Sequence, residues 1–156
     1  MTRHVRSRLL FILVVVFAAS AATAANHVLK GTYVDLNAST VTLPAATLTP
    51  LGNPVTVSCA GTGTCTIEGD MWVQNFSGST TSNWFVLCLY VDGKPVDTYC
   101  YGYAGTTPSD GSPVMGTSSQ SLSGVAAGNH TVQTYFWSRE GSTAQYGHFT
   151  YNVYKP

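Results

Sequence analysis

The chain has 156 residues, the size of one ordinary domain. Only 9% of them are charged, with seven Lys or Arg against seven Asp or Glu, whereas about 25% is usual in soluble proteins. A chain without an excess of basic residues does not fit a nucleic-acid-binding protein, and one that is 12% aromatic does not fit a disordered tail. We therefore expect a globular protein that does not bind nucleic acid.

The first 24 residues have the pattern of a secretory signal peptide. Three arginines precede an uninterrupted apolar run from Leu9 to Ala19, and Ala22-Thr23-Ala24 supplies the small-residue cleavage pattern. An uncleaved membrane anchor is the alternative, but eleven strongly apolar residues fall short of the roughly 20 that span a bilayer. We predict cleavage after Ala24, a location outside the cell or in the periplasm, and no membrane association after cleavage.

Residues 25–156 are predicted to form a single domain, because no repeat and no linker divides them. They carry four Lys or Arg against seven Asp or Glu, which gives a net charge of −3. A weakly acidic surface has no electrostatic attraction to DNA or anionic lipid. Short segments rich in Val, Thr and aromatic residues alternate with clusters of Gly, Pro and Ser, a pattern typical of strands joined by turns.

The pattern of short strands predicts an all-β fold with eight to ten strands, an antiparallel β-sandwich of jelly-roll type. Prolines between residues 44 and 54 predict a loop or an irregular edge there, and residues 103–116 form the longest predicted irregular stretch. The most buried strand is predicted at 84–91, which is apolar on both faces. The predicted strands are Val28–Val34, Thr40–Leu43, Val55–Cys59, Thr66–Phe76, Trp84–Val91, Lys94–Tyr101, Ser118–Leu122, Thr131–Trp137 and Gln145–Tyr154.

Four cysteines in an exported chain predict two disulfides, for which three pairings exist. Cys59 and Cys65 enclose a short Gly/Thr loop, and Cys88 and Cys100 flank the turn sequence Asp92-Gly93-Lys94-Pro95. Local pairing, 59 with 65 and 88 with 100, fits both turns. A zinc site is the alternative, but the gaps of five and eleven residues differ from the close C-x2–4-C pairs that zinc uses.

The segment before the last two strands has the form of a late hairpin in jelly-roll domains. The run Val125-Ala126-Ala127-Gly128-Asn129-His130-Thr131-Val132 leads into an aromatic strand that faces the final strand. In this the chain resembles exported bacterial β-sandwich proteins of the jelly-roll type, a group of uncharacterised function, to which the pattern from Cys59 to Lys155 is also similar. The resemblance implies the fold and assigns no catalytic residue.

Few residues favour an enzyme. A serine hydrolase needs a nucleophile on a strained turn, a base and an orienting acid; no G-x-S-x-G sequence is present, although Ser138, His130 and His148 could converge with an aspartate. Glu68 and Asp70 share a strand face, which favours a solvated surface over a carboxylate pair that flanks a cleft. We predict a protein that is not an enzyme, with a secreted hydrolase as the third alternative.

Neither a metal nor a cofactor is predicted. Asp110, in the sequence Ser109-Asp110-Gly111, is the one candidate for a calcium ligand. An isolated acid in such a sequence usually forms a turn.

The aromatic residues provide the candidate binding site. Strand alternation over residues 66–76 predicts Trp72 on the outer face, where an exposed ring beside amides and hydroxyls can stack on a sugar. We predict that Trp72, Tyr101 and Tyr103 line one concave patch with Asp110 at its rim, because a long loop at 103–116 can fold over a sheet edge. The alternative for Trp72 is packing within a second layer of the sandwich.

The predicted function is a recognition or adhesion module for a carbohydrate or a cell-surface protein. The alternative is a structural subunit of an extracellular or surface assembly. Low charge and an abundance of Thr, Ser and Gly favour that alternative, because such surfaces suit self-association.

Overall fold

The computed structural model describes residues 27–35, 41–77, 83–97 and 103–155, with side chains described within 41–77, 83–97 and 104–155. All eight strands in this part of the chain belong to one antiparallel sheet. The strands are β1 (His27–Asp35), β2 (Val41–Leu43), β3 (Thr49–Ser77), β4 (Asn83–Val91), β5 (Lys94–Pro95), β6 (Tyr103–Thr107), β7 (Val114–Ser138) and β8 (Ser142–Lys155).

Two long strands form the centre of the sheet. β3 has 29 residues and β7 has 25, and they pair with each other from Thr49 opposite Phe136 to Asn75 opposite Val114. The strand order is β1-β8-β3-β7-β4-β5, with β2 also beside β8 and β6 also beside β4. β8 pairs with the second half of β3, and β4 pairs with the second half of β7. The central ribbon therefore carries its flanking strands at opposite ends.

The sheet curls so that its two ends face each other across one core. Gly69 of β3 lies against the side chain of Leu89 on β4. The Tyr151 hydroxyl of β8 shares a 2.7 Å hydrogen bond with Thr134 of β7. Both contacts join strands that are not neighbours in the sheet. The largest fully buried side chains come from both ends of the ribbon: Tyr151, Phe85, Phe136, Phe149, Leu43, Leu51, Ile67, Leu87, Leu89, Val57, Val73 and Val132.

A side-chain amide completes the edge of β4 between the segments that pair with β6 and β5. The Leu89 N–H donates to Gln120 Oε1 at 2.8 Å, and Gln120 Nε2 donates to the Leu87 carbonyl at 2.9 Å. Because unpaired backbone groups are costly away from water, this amide takes the place of a strand. The two hydrogen bonds also connect the first half of β7 to β4 on the opposite side of the core.

The all-β antiparallel class predicted from the sequence is confirmed. Among the strands whose side chains are described, β4 has the most buried residues for its length, as its apolar sequence predicts. The predicted alternation in β3 is also confirmed, because Ile67, Met71 and Val73 are buried. The Asp92-Gly93 turn joins β4 to β5 with φ of 50° and 73°, the left-handed conformation expected of this pair.

Three sequence predictions about irregular segments are corrected. β3 begins at Thr49, inside the segment 44–54 that was predicted to be a loop or irregular edge. Its prolines are tolerated because this half of β3 pairs with β7 on one side only. Likewise, the predicted irregular stretch 103–116 contains β6 and the start of β7, and its two prolines limit the irregular part to 108–113.

The third correction concerns the first disulfide. Cys59–Cys65 forms as predicted, with Cα atoms 5.9 Å apart, but it does not close a turn between two strands. Cys59 pairs with Gly128 and Thr64 pairs with Ala126, so residues 60–63 form a large bulge within one continuous strand. The bulge is hydrogen-bonded by Lys155, whose Nζ donates to the Ala60 carbonyl at 2.9 Å.

Some predictions fall outside the described residues. Cys88 is buried and disulfide-bonded, but Cys100 is not described, so the pairing of 88 with 100 stays a prediction. The predicted signal peptide, residues 1–24, also lies outside the described part. Within that part, no helix has the length and apolar character needed to cross a membrane.

Candidate functional site

Trp72 lies on the outer face of the sheet, on β3, which is the middle one of three long neighbouring strands. It pairs with Thr117 of β7 on one side and with His148 of β8 on the other. Its neighbours Met71 and Val73 point into the core and are buried, so the strand period of two sends Trp72 outward. Trp72 is half-buried.

The ring of Trp72 stacks with that of His148. The ring centroids are 6.1 Å apart and the planes differ by 9°. The Thr150 hydroxyl lies 3.2 Å from His148 Nε2 and holds the imidazole from the next outward position of β8. The two rings thus present one aromatic platform that is fixed by strand pairing rather than by a loop.

An open pocket of about 300 Å³ surrounds this platform. Its other polar side chains come from the outward positions of all three strands, and they supply hydroxyls and one carboxylate. A flat ring edged by hydroxyls and a carboxylate can bind a ligand that has an apolar face and a polar rim. These residues are Asp70, Thr117, Ser119 and Thr150. Ser118 also borders the pocket, but it is on an inward position of β7, where its hydroxyl accepts a hydrogen bond from Gln120 Nε2.

The structure brings only part of the predicted site to this pocket. Asp110 is exposed in the turn between β6 and β7 and is absent from the pocket lining. Its carboxylate accepts the Ser112 N–H at 2.9 Å, and this hydrogen bond lowers the pKa of Asp110. Tyr103 pairs with Val86 at the start of β6, but its side chain is not described. Tyr101 lies outside the described residues.

His148 is one of the pocket residues that the sequence does not assign to the site, together with Asp70, Thr117, Ser119 and Thr150. From the sequence, His148 is a candidate only for the hydrolase alternative, whereas in the structure its ring stacks on Trp72. The alternation of β8 places His148 and Thr150 on one face, and the same alternation in β3 places Trp72 outward. The missing information was the pairing of β3 with β8, because the residues that pair are 76 positions apart in the chain.

Glu68 and Asp70 extend the outer face toward the end of β8. Burial raises the pKa of the Tyr154 hydroxyl, and the charges of Glu68 and Asp70 raise it further. The two carboxylates therefore act on the same tyrosine from one strand face. Glu68 is half-buried and Asp70 is exposed.

A second open pocket, of about 400 Å³, lies beside His130, between the middle of β7 and the turn that joins β4 to β5. His130 Nδ1 is 2.7 Å from Asp92 Oδ2, and Nε2 is 2.9 Å from the Ala126 carbonyl. Asp92 also accepts the Thr131 N–H at 2.9 Å. Both ring nitrogens face acceptors, so both hydrogen bonds form when the ring is protonated. The hydrogen bond between His130 and Asp92 raises the pKa of His130 and lowers that of Asp92.

The residues of the hydrolase alternative are not assembled. Ser138 is fully buried, and its hydroxyl is 3.4 Å from that of Ser142. Ser138 and His130 lie eight positions apart on one strand, which separates them by roughly 26 Å. His148 lies at the Trp72 pocket. In the described ranges, no group of three or more His, Cys, Asp or Glu residues is placed to hold a metal ion.

A second group of aromatic side chains covers the outer face of β4 and β7. Trp84 and Trp137 have centroids 4.7 Å apart, and those of Tyr90 and Tyr135 are 4.2 Å apart. Trp84 is 37% exposed. Neither of the two pockets described above is lined by a residue of this row.

Comparisons with known proteins assign no family to the chain. No protein-family model and no curated protein matches the chain. Among solved structures, the chain is similar to one in "Structure of infectious bursal disease virus Gx strain", with a TM-score of 0.34 and 11% identity over 81% of this chain. The match spans 33% of the viral chain. A likeness at this level carries no argument about function.

Proposed function

We propose that the mature chain is a secreted, non-enzymatic recognition module that binds carbohydrate at the Trp72 pocket. The observation that carries this proposal is the near-parallel stack of Trp72 on His148 within an open pocket edged by hydroxyls. Sugars have apolar faces that stack on aromatic rings and hydroxyls that exchange hydrogen bonds with Ser, Thr and Asp. An open pocket on a sheet face suits a sugar unit within a longer glycan.

The strength of such an interaction can be bounded. Stacking of a nucleic acid base on an aromatic ring is worth about 1–3 kcal/mol, and a sugar face is expected to be of similar order. Loss of the ring then weakens binding by about 5- to 160-fold.

The test uses a glycan array to find a ligand and then compares Trp72→Ala with Trp84→Ala. Both variants remove a partly exposed tryptophan, but Trp84 lies on the other outer face, away from the pocket. We expect only Trp72→Ala to lose binding. A sharp fall in melting temperature for Trp72→Ala, with retention of ligand binding, would contradict the proposal and leave Trp72 a packing residue.

The proposal includes secretion and a jelly-roll architecture. The signal-peptide pattern of residues 1–24 supports export, and the disulfide Cys59–Cys65 favours an oxidising compartment. The curled sheet, whose two ends face each other across the core, is compatible with the two layers of a jelly-roll sandwich. Mass determination of the secreted chain tests the predicted start near Ala25.

The absence of enzymatic activity is also part of the proposal. It is supported by the engagement of both His130 nitrogens and by the burial of Ser138. Assays with polysaccharides, esters and peptides should stay at background. Turnover that is lost on Glu68→Gln or His148→Ala would show that the protein is a hydrolase.

A second candidate function is that of a subunit in a surface assembly, and the aromatic row of Trp84, Trp137, Tyr90 and Tyr135 favours it. Two such rows from two copies can bury each other. Sedimentation of the mature protein over a range of concentrations distinguishes the candidates. A stable monomer favours glycan binding, whereas a polymer that dissociates on Trp84→Ala favours assembly.

A further inference from the structure

The Trp72 pocket has a one-sided charge distribution. Asp70 is the carboxylate in its lining, and Glu68 follows at the next outward position of β3. Asp70 pairs with Ser119 and Thr150, so it occupies the row of the sheet next to the Trp72–His148 row. A ligand stacked on the platform and extending along β3 meets the Asp70 carboxylate first and that of Glu68 next.

No Lys or Arg with a described side chain compensates these carboxylates at the pocket. Lys155 donates to the Ala60 carbonyl at the bulge, and Arg139 pairs with Glu140 at 2.7 Å. Lys94 lines the other pocket, beside His130. His148 is the basic group in the lining, and its ring is held in the stack. The rim of the pocket is therefore acidic on the side of β3 that leads to Glu68.

We propose, building on the carbohydrate-binding function above, that Asp70 makes the pocket selective for amino sugars with a free, protonated amine. The ring platform provides binding to any sugar with an apolar face, and the carboxylate adds an ion pair with an ammonium group. A uronic acid meets repulsion at the same position. Asp70 is thus a specificity-determining residue, while Trp72 provides the common part of the affinity.

The probes are two oligosaccharides that differ only in N-acetylation, a hexamer of β-1,4-linked glucosamine and its fully N-acetylated counterpart. Titration calorimetry is done at low ionic strength, in the pH range where the amine is protonated and carboxylates are ionised. An exposed ion pair is worth about 0.2–1 kcal/mol, so we expect the free amine to bind about 1.4- to 5-fold more tightly. Added salt should reduce this difference. An oligogalacturonate should bind more weakly than either hexamer.

Asp70→Asn should lower the affinity for the free-amine hexamer to that for the acetylated hexamer, which removes the preference. The matched control is Asp110→Asn, which neutralises an exposed acid outside the pocket and should leave the preference intact. If both hexamers bind equally to the unaltered protein, and Trp72→Ala weakens both, the selectivity is wrong and carbohydrate binding stands. If neither hexamer binds, both the selectivity and the assigned ligand class fail.

Discussion

Gly116 is placed where no other residue fits. It lies on an inward position of β7, and a Cβ there would collide with the ring of Phe85 and lie 2.9 Å from the Ala104 carbonyl oxygen. Phe85 is fully buried and stacks on Phe136, with centroids 5.4 Å apart. The ring therefore cannot move aside without disturbing the core.

Gly116→Ala should reduce the free energy of unfolding by about 1–3 kcal/mol, the usual cost of overpacking. Urea denaturation measures this change. Ser121→Ala, an exposed position of the same strand, should be close to neutral. In a double-mutant cycle with Phe85→Leu, which makes space, the double variant should lose less stability than the sum of the two single changes. Additive losses would show that the ring is not the obstacle.

His130 and Asp92 should give the protein a pH-dependent stability. The pKa of His130 is raised above its ordinary value of 6.5, so its contribution is present below that value and is lost as pH rises through the folded-state pKa. The pKa of Asp92 is lowered from 3.8, so its contribution is present above that value and is lost as pH falls through the folded-state pKa. Lys94 is the other charged group that acts on Asp92. The pair therefore stabilises the fold most in mildly acid solution.

The measurement is the free energy of unfolding in urea at about pH 5.5 and about pH 8, one value below and one above the ordinary pKa of His. Asp92 is 52% exposed, so solvent screens the pair and the loss at the higher pH should be about 0.2–1 kcal/mol. His130→Gln should lack this pH-dependent loss. An equal loss in that variant would assign the effect to other groups.

At the scale of single elements, the bulge in β3 is held by the disulfide Cys59–Cys65. The closed loop has seven residues, counting both cysteines, and chain entropy assigns such a loop about 2.4 kcal/mol. The variant Cys59→Ala/Cys65→Ala should lose stability of this order in urea denaturation, with the sheet otherwise intact by circular dichroism. Lys155→Met, which removes the hydrogen bond to the bulge, should cost less. A double alanine variant as stable as the parent would mean that strand pairing alone holds the bulge.

The sequence predicts local features of the elements well. Alternation in 66–76 places Ile67, Met71 and Val73 in the core and Trp72 outside, and Asp92-Gly93 forms the predicted turn. These features depend on neighbouring residues only. The joining of the predicted strands 55–59 and 66–76 into one strand is not predictable in this way, because it depends on pairing with β7 across the whole bulge.

The candidate site was only partly predictable for the same reason. Trp72 follows from local alternation, whereas His148, Thr117 and Ser119 reach it through the register of β3 with β8 and β7. That register is set by the packing of the curled sheet. Asp110 was expected near Trp72 because the preceding segment was interpreted as a long loop, but the strand β6 occupies part of it.

At the scale of the whole molecule, the two ends of the sheet should unfold together. β3 and β7 run through both ends, so neither end has a complete set of strands of its own. The three tryptophans report on the two ends separately. Trp72 is at the end where β3 pairs with β8, and Trp84 and Trp137 are at the end where β4 pairs with β7. Trp72→Phe keeps only the two tryptophans at the β4 end, and Trp84→Phe/Trp137→Phe keeps only Trp72 at the β8 end. Fluorescence and circular dichroism of each variant should give one coincident transition, and separated transitions would show two independent units.

The pairing of β1 with β8 has a mechanical consequence. His27 lies opposite Lys155, so a force that pulls these two residues apart acts at the same end of an antiparallel pair. The hydrogen bonds of such a pair are perpendicular to the strands, and they are loaded one after another instead of all together. Under tension applied through these positions, β1 peels from the edge at low force, before the β3–β7 ribbon is stretched. The detached strand lengthens the molecule and absorbs work before the central strands bear the load.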